Sequence, residues 1–419
     1  MTTASTASLS ATTVVHPGDS LTLRQRLLYI VILGALTALG PFTIDLYLPA
    51  FPTLEADFDV PAAMIQLTLT GTTVGFALGQ LVMGPLSDRI GRRKPILVAT
   101  AVHVVACVGA AVAPEIWSLG VFRVLQGMGA AAGAVVAMAM VRDLFGGRPL
   151  VLMLSRLALV SGLAPILAPL IGSQLLLVVD WRGIFWVLAA YGAIVITVVA
   201  IGIRETLPPE RRHDAGHATA GQRYRAVLTD PVFVGVALIG GMTFSGLFSY
   251  LSASSFLFQQ VYGFDPQQYG VLFAVNSLGI VGGVQLSSRL TRWFGPQWII
   301  AVSTVLLVAM AGLIVLFSEL QLGLWGTLVP LWFFIFACGL TFPCVQVLAL
   351  NDHGHEAGTA ASLLGAVNFG LAGLISPLVG VLGIGSAVPM AAVMAGTAVV
   401  SILSLWLIVR PWRVPELTR

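Results

Sequence analysis

Two charged residues stand alone in apolar surroundings. Asp45 is the one charged residue in the run Leu27 to Ala50, and Arg123 lies six residues past Trp117 in another such run. A carboxylate at membrane depth costs about 2.5–3.5 kcal/mol on insertion scales, so it serves a function or has a buried partner. The chemistry open to Asp45 is reversible protonation. Lipid opposes its charge and a nearby guanidinium supports it, so a switchable proton site needs the two to be near balance. The competing reading is a permanent structural ion pair. Asp45 lies four residues before Pro49, and Arg123 about 9 Å below Trp117 at 1.5 Å per residue. The two are thus at similar depth and can interact directly or through Gln126 and water.

Other titratable groups read as structural. His103 sits in the middle of an apolar stretch, where a hydrogen-bonded packing residue is favoured over a proton relay. Asp352-His353-Gly354-His355-Glu356 has metal-binding residue types, but its crowding in a short connection reads as a polar turn. Cys107, Cys338 and Cys344 have neither metal-ligand nor disulfide spacing. No metal or cofactor is expected. The second half carries no carboxylate within an apolar run. It offers Phe244, Phe248, Tyr250, Ser252, Asn276, Phe342, Gln346 and Asn368, and with Tyr47 and Gln126 most of these form a candidate substrate-binding set. Sites for drug-sized ligands combine apolar walls with a few orienting polar groups, although each of these residues also serves in helix packing.

The elements that must position these groups are membrane helices. Of 419 residues 57% are hydrophobic and 9% charged, against roughly 25% charged in soluble domains. Apolar runs of spanning length recur along the chain, too long and continuous for barrel strands. Twelve spans are expected, at about 27–50, 61–86, 96–113, 117–141, 153–178, 184–203, 232–260, 267–290, 298–318, 324–350, 358–382 and 385–409. With both termini inside, every Lys and Arg except Arg123 and Arg182 falls in cytoplasmic segments or at their edges. Residues 1–22 are Ser-, Thr- and Ala-rich without Lys or Arg, and read as a disordered cytoplasmic tail rather than a signal peptide. The polar stretch 204–230, with Glu210-Arg211-Arg212-His213-Asp214, reads as a linker between bundles 23–203 and 231–410, and 411–419 as a second cytoplasmic tail. The halves repeat. Gly162 to Gly172 coincides with Gly370 to Gly380 at six of eleven positions, and Leu86-Ser87 and Arg89 match Leu286-Ser287 and Arg289. Parallel repeats favour a site between the halves.

The sharpest motif is Gly84-Pro85-Leu86-Ser87-Asp88-Arg89-Ile90-Gly91-Arg92-Arg93-Lys94 between spans 2 and 3. It closely resembles the signature loop of the major facilitator superfamily. Leu119-Gly120-Val121-Phe122-Arg123-Val124-Leu125-Gln126-Gly127-Met128-Gly129 resembles the family's span 4 pattern. Ala164-Pro165-Ile166-Leu167-Ala168-Pro169-Leu170-Ile171-Gly172-Ser173 more loosely resembles its antiporter motif. Trp181-Arg182-Gly183-Ile184-Phe185 and Arg204-Glu205-Thr206-Leu207-Pro208 look like the segments flanking span 6. Asp45-Leu46-Tyr47-Leu48-Pro49-Ala50-Phe51-Pro52 is similar to a pattern of the bicyclomycin and chloramphenicol resistance branch of drug/proton antiporters.

The resemblance implies an all-α fold of two six-helix bundles and proton-coupled export of a drug-like small molecule, with amphenicols or bicyclomycin-like compounds as the family-based cargo. A sugar or metabolite exporter on the same fold is the alternative, and a transport-inactive sensor a more distant one. As the charges within the membrane, Asp45 and Arg123 are then the candidate proton-coupling residues, Asp45 as the acid and Arg123 tuning its proton affinity. The resemblance makes Gly84, Asp88, Arg89, Gly91, Arg92 and Arg93 a latch between halves, where the competing reading is a solvated basic loop. Physically, Pro165 and Pro169 let span 5 bend, while Gly162 and Gly172 permit close helix contact. Thr37 stands where some relatives carry a second acid, which weighs against broad recognition of cationic drugs. The expected setting is the cell inner membrane, as a monomer whose partners are substrate, protons and lipid, not nucleic acid. Neither a nucleophile–base constellation nor a P-loop is visible, so no enzyme is expected.

Overall fold

The computed structural model describes residues 17–212, 220–351 and 357–414. Among them, twelve helical segments are long and apolar enough to cross a membrane, and no strand occurs. The first half comprises α1 (Leu23–Asp45), α2 (Phe51–Phe58), α3 (Ala62–Ile90), α4 (Arg93–Ala111), α5 (Ile116–Leu144), α6 (Gly147–Leu175) and α7 (Trp181–Gly202). A linker helix α8 (Ala220–Leu228) leads to α9 (Pro231–Phe256), α10 (Pro266–Leu290), α11 (Pro296–Glu319), α12 (Gly323–Asn351), α13 (Ala357–Ile375), α14 (Leu378–Leu382) and α15 (Val388–Leu403). Local sequence sets the starts. Thr22 and Gln25 form a capping box for α1, Asp265 and Gln268 one for α10, and Pro231, Pro266 and Pro296 occupy first-turn positions.

Within the first half α3 and α4 pack on α5, and α1 on α6; within the second α10 and α11 pack on α12, and α9 on α13 and α15. The halves meet mainly where α3 lies along α13 and α6 along α10. In the repeat α3 corresponds to α10 and α6 to α13. The two contacts are therefore one contact made twice, as parallel repeats require.

Glycine sets the distance at the tightest crossings. A Cβ on Gly75 of α3 would meet the Val124 carbonyl of α5 at 2.1 Å, and one on Gly127 the Thr72 carbonyl at 2.1 Å. Gly283 and Gly339 do the same for α10 and α12, at 2.2 Å and 2.3 Å from facing carbonyls. Without a hydrophobic force between helices in lipid, such close packing is a main source of association.

Some polar segments are more ordered than their composition suggests. Residues 17–20 of the expected tail form a 3-10 turn, because Arg26 donates to the Gly18 and Leu21 carbonyls at 3.2 Å each. The expected linker contains α8, whose Val227 is fully buried. Pro411–Arg413 forms a further short turn. The clusters at His213-Asp214 and Asp352–Glu356, with residues 1–16 and 415–419, lie outside the described residues. Arg89, Arg92, Arg93 and Lys94 mark a basic end of the bundle. Glu55, Asp57, Asp59 and Asp265 mark an acidic end.

Gly127→Val should destabilise the fold by about 2 kcal/mol or more, since backbone rather than a flexible side chain must give way. Thermal unfolding in detergent would read this as a lowered midpoint. An unchanged midpoint would show that the α3–α5 crossing can relax.

Candidate functional site

The carbonyls of a helix's last turn have no donor within the helix. At the end of α1, Arg123 supplies one. Its Nη2 donates to the Thr43 carbonyl at 2.9 Å and its Nη1 to Gln126 Oε1 at 2.8 Å. The guanidinium also lies 3.9 Å from the centre of the Tyr47 ring, a cation–π contact in a fully buried setting. Gln126 Nε2 donates onward to Cys107 Sγ at 3.0 Å, and His103 Nδ1 lies 3.2 Å from the Gln126 carbonyl oxygen. His103 is thus a hydrogen-bonded core residue. A cation at a helix C-terminus is favourable in its own right.

Asp45, two residues past that carbonyl, is left alone. Among the described residues no cation lies within ion-pairing distance of it, and its buried Oδ1 has no hydrogen-bond partner. Of the two expected routes between Asp45 and Arg123, direct contact or a link through Gln126 and water, direct contact is not found. The Thr43 carbonyl, Gln126 and the Tyr47 ring engage the guanidinium first. Tyr47 and Gln126, expected among the substrate residues, are fully buried and are not among the residues lining the cavity between the halves. Tyr47 instead places its hydroxyl 3.2 Å from that of Thr68.

Asp45 is among the residues lining a cavity of about 330 Å3 between the halves. Of the expected substrate residues, Phe244, Phe248, Tyr250 and Phe342 line it. Phe76 and Phe369, which motif reasoning missed, complete an aromatic network across the seam. Their rings stack at 4.8 Å, and Phe369 meets Phe244 at 4.9 Å. Nothing in an apolar sequence separates these two from lipid-facing aromatics. Asn276 stands one step back, donating to the Tyr250 hydroxyl at 3.1 Å while facing a separate groove of about 710 Å3 between α10 and α12. Gln346 lines a third cavity, of about 340 Å3, at the basic end. Asn368 lies between α13 and α9 near Gly240, outside all three. The central and basic-end cavities share Gln80 and Ala134. The acidic end is tied shut by Gln259 to the Pro49 carbonyl at 3.0 Å, Gln260 to Glu55 at 2.6 Å and Gln267 to the Ser173 carbonyl at 2.8 Å.

A family model described as Major Facilitator Superfamily matches residues 31–377. The chain belongs to the major facilitator superfamily. It is 34% identical over 385 residues to the MFS-type transporter YdgK of Bacillus subtilis (strain 168), covering 91% of this chain and 96% of that one. It is 30% identical over 386 residues to a bicyclomycin resistance protein homolog of Haemophilus influenzae, again with 91% and 96% covered. Identity to the multidrug resistance protein MdtL of Escherichia fergusonii is 27% over 381 residues, covering 90% and 95%. The fold matches that of the xylose transporter XylE from E. coli with a TM-score of 0.73 at 12% identity, over 94% of this chain and 98% of that one. This major facilitator is thus a multi-pass membrane transporter and not an enzyme.

The signature loop of this major facilitator organises its own half. Arg92 pairs with Asp88 and, at 2.8 Å, with Asp143, and donates to Ser87. These partners of Arg92 all belong to the first half. Asp143 and Glu205 carry the network and were missed as partners. Gly91 adopts φ +97°, and the Glu205 carboxylate sits where its side chain would be. That carboxylate accepts from the Arg92 and Arg93 amides at 2.8 Å and 3.2 Å, capping α4 from the far side of span 6. Arg93 also donates to the Ala200 carbonyl, Arg89 is exposed, and Gly84 faces Ser362 across the seam. In α6, Gly172 abuts the Leu46 carbonyl just past Asp45, and Pro165 lines the central cavity. Pro169 is buried within the same helix. A Cβ on Gly162 would meet no other helix within 4 Å, so the close helix contact expected there is not found, because the residue lies on an exposed face.

Burial alone would push the Glu205 carboxyl up. The amides of Arg92, Leu207 and Arg93 and the Arg212 charge outweigh it and hold the carboxyl below its ordinary value. A carboxyl so held stabilises the fold above the unfolded value, about 4.3 for Glu, and loses that contribution as pH falls through the folded one. The midpoint of the parent protein should therefore drop on acidification below about pH 4 more steeply than that of Glu205→Gln. Parallel pH profiles would show the capping role to be wrong.

Proposed function

We propose that this transporter exports a drug-like small molecule in exchange for protons, with the basic end facing the cytoplasm of the cell inner membrane. One observation carries the reading. Among the described residues Asp45 is the one charged side chain lining a central cavity of mostly apolar and aromatic residues with a few neutral polar ones, and its Oδ1 has no fixed partner. An ionised carboxylate in such a place needs a donor, which a proton or a polar group of the cargo can supply in turn. That alternation is the coupling. Deprotonated Asp45 holds cargo taken from the basic end. Opening of the acidic end releases the cargo and admits a proton, and the neutral site returns to give that proton up at the basic end.

Arg123 acts as a positioning residue in this scheme, since it fixes the end of α1 and so the place of Asp45. Phe76, Phe244, Phe248, Phe342 and Phe369 supply apolar contact from both halves. The relatives named for bicyclomycin and multidrug resistance support a drug-like cargo such as an amphenicol or a bicyclomycin-like antibiotic. A sugar cargo fits less well. The cavity's Thr37 and Ser277 hydroxyls already donate to carbonyls of their own helices, so among its polar groups Gln80, Ser161, Tyr250 and Asp45 are left to meet a hydroxyl-rich ligand within mostly apolar walls. The chain is read as a monomer.

Expression in a pump-deleted host should protect against members of an antibiotic panel, and a protonophore should abolish the protection. Asp45→Asn should retain fold and cargo binding but fail to build a concentration gradient driven by protons. Undiminished uphill export by that variant would sink the mechanism.

A further inference from the structure

Proline in α3 leaves a backbone group without its helical partner. In a regular helix the Leu81 carbonyl accepts from the amide four residues on, but that residue is Pro85, which has no N–H. A carbonyl so freed inside a membrane protein requires another donor. The linker helix supplies it, as the Tyr224 hydroxyl donates to the Leu81 oxygen at 2.8 Å. Tyr224 belongs to α8, which packs on α13 and α9 of the second half. Val227, one turn on, is fully buried in a cluster with Phe233, Leu363 and Leu364. Asp230 then caps α9 through the Val232 amide at 2.8 Å, so α8 is fixed to the second half at both its face and its end. The Leu81 side chain packs against the same cluster. One residue of the first half is thus gripped twice, by side chain and by carbonyl. Tyr224 and Pro85 both line the basic-end cavity of about 340 Å3.

We propose that α8 is a strap across the basic end, fastened by the Tyr224 hydroxyl to the carbonyl that Pro85 frees, and that it must let go whenever the halves part there. Tyr224 is then a gating residue of the transport cycle. The strap needs only alternating access, not proton coupling or a particular cargo. It biases the equilibrium toward a closed basic end, while water can replace the tyrosine once the seam opens.

The test reads access directly and needs no identified substrate. Met138 lines the basic-end cavity and is 36% exposed, while the native cysteines are buried, so Met138→Cys offers one reactive site in the purified full-length protein. Alkylation of that site by a bulky maleimide should quicken about threefold to tenfold when Tyr224→Phe is added, the population shift that one net hydrogen bond supplies. Pro85→Ala returns an amide to Leu81 and should act in the same direction. The double variant should be no faster than the quicker single one, because both changes act on one carbonyl. Labelling within twofold of the parent, additive effects in the double variant, or a lowered melting midpoint without faster labelling would each overturn the strap. None of these outcomes bears on Asp45, so failure here is distinct from failure of the efflux reading.

Discussion

A buried charge must be paired or must be free to become neutral, and this molecule does one with Arg123 and the other with Asp45. The guanidinium finds the open carbonyl of Thr43, the amide oxygen of Gln126 and the face of Tyr47. Each satisfies part of the cost of desolvation, and together they make the cation a fixture. The same arrangement denies Asp45 a permanent counter-ion. A carboxyl locked to an arginine would stay ionised throughout a cycle, whereas one without a partner has a charge state that depends on what enters the cavity. The orphaned Oδ1 is therefore the property on which the proposed coupling rests.

The seam between halves obeys a related constraint. In α3, Gln66, Thr73 and Gln80 lie against Gly380, Gly373 and Gly365 along α13 and α14. Polar side chains facing glycine pack closely when the seam is shut and can meet water when it opens. Leucines there would bind the halves as one body. Both amide atoms of Gln66 are buried without partners, so closure at the acidic end carries a cost that opening removes. On the proposed cycle this unpaired amide favours opening at the acidic end, as the Tyr224 contact favours closure at the basic one.

Much of the architecture is legible in the chain because lipid leaves few solutions. Twelve apolar runs, a basic set of connections and an offset repeat lead to two bundles before any contact is known. Asp45 stands out for the same reason, as a costly residue in a cheap neighbourhood. What the chain hides is partner choice. Similar depth suggested that Asp45 and Arg123 interact, directly or through Gln126 and water, but helix-end carbonyls carry no sequence signal, and it is one of these that takes the guanidinium. Gly162 and Gly172 look alike in the motif, yet only Gly172 faces another backbone, since the face of a helix turned to lipid is not marked in a uniformly apolar run. Tyr224 is hidden in a different way. Its partner is an atom made available by a proline far away in the chain.

Helix α6 brings these features together at one point. Gly172 of α6 rests on the Leu46 carbonyl, the first residue after Asp45, and Ser173 beside it faces Gly270 of α10 across the seam. Gln267 of α10 bonds the Ser173 carbonyl as well. A shift of α10 at the acidic end therefore reaches the segment that carries Asp45 through two adjacent residues. Pro165 and Pro169 lack the amides that would stiffen the intervening turns of α6, so the helix can bend between the cavity and the seam. Such a bend moves the wall of the aromatic cavity and the backbone beside the acid together. Opening of the acidic end and a change in what surrounds Asp45 then become one event, which is what exchange of a proton for cargo requires.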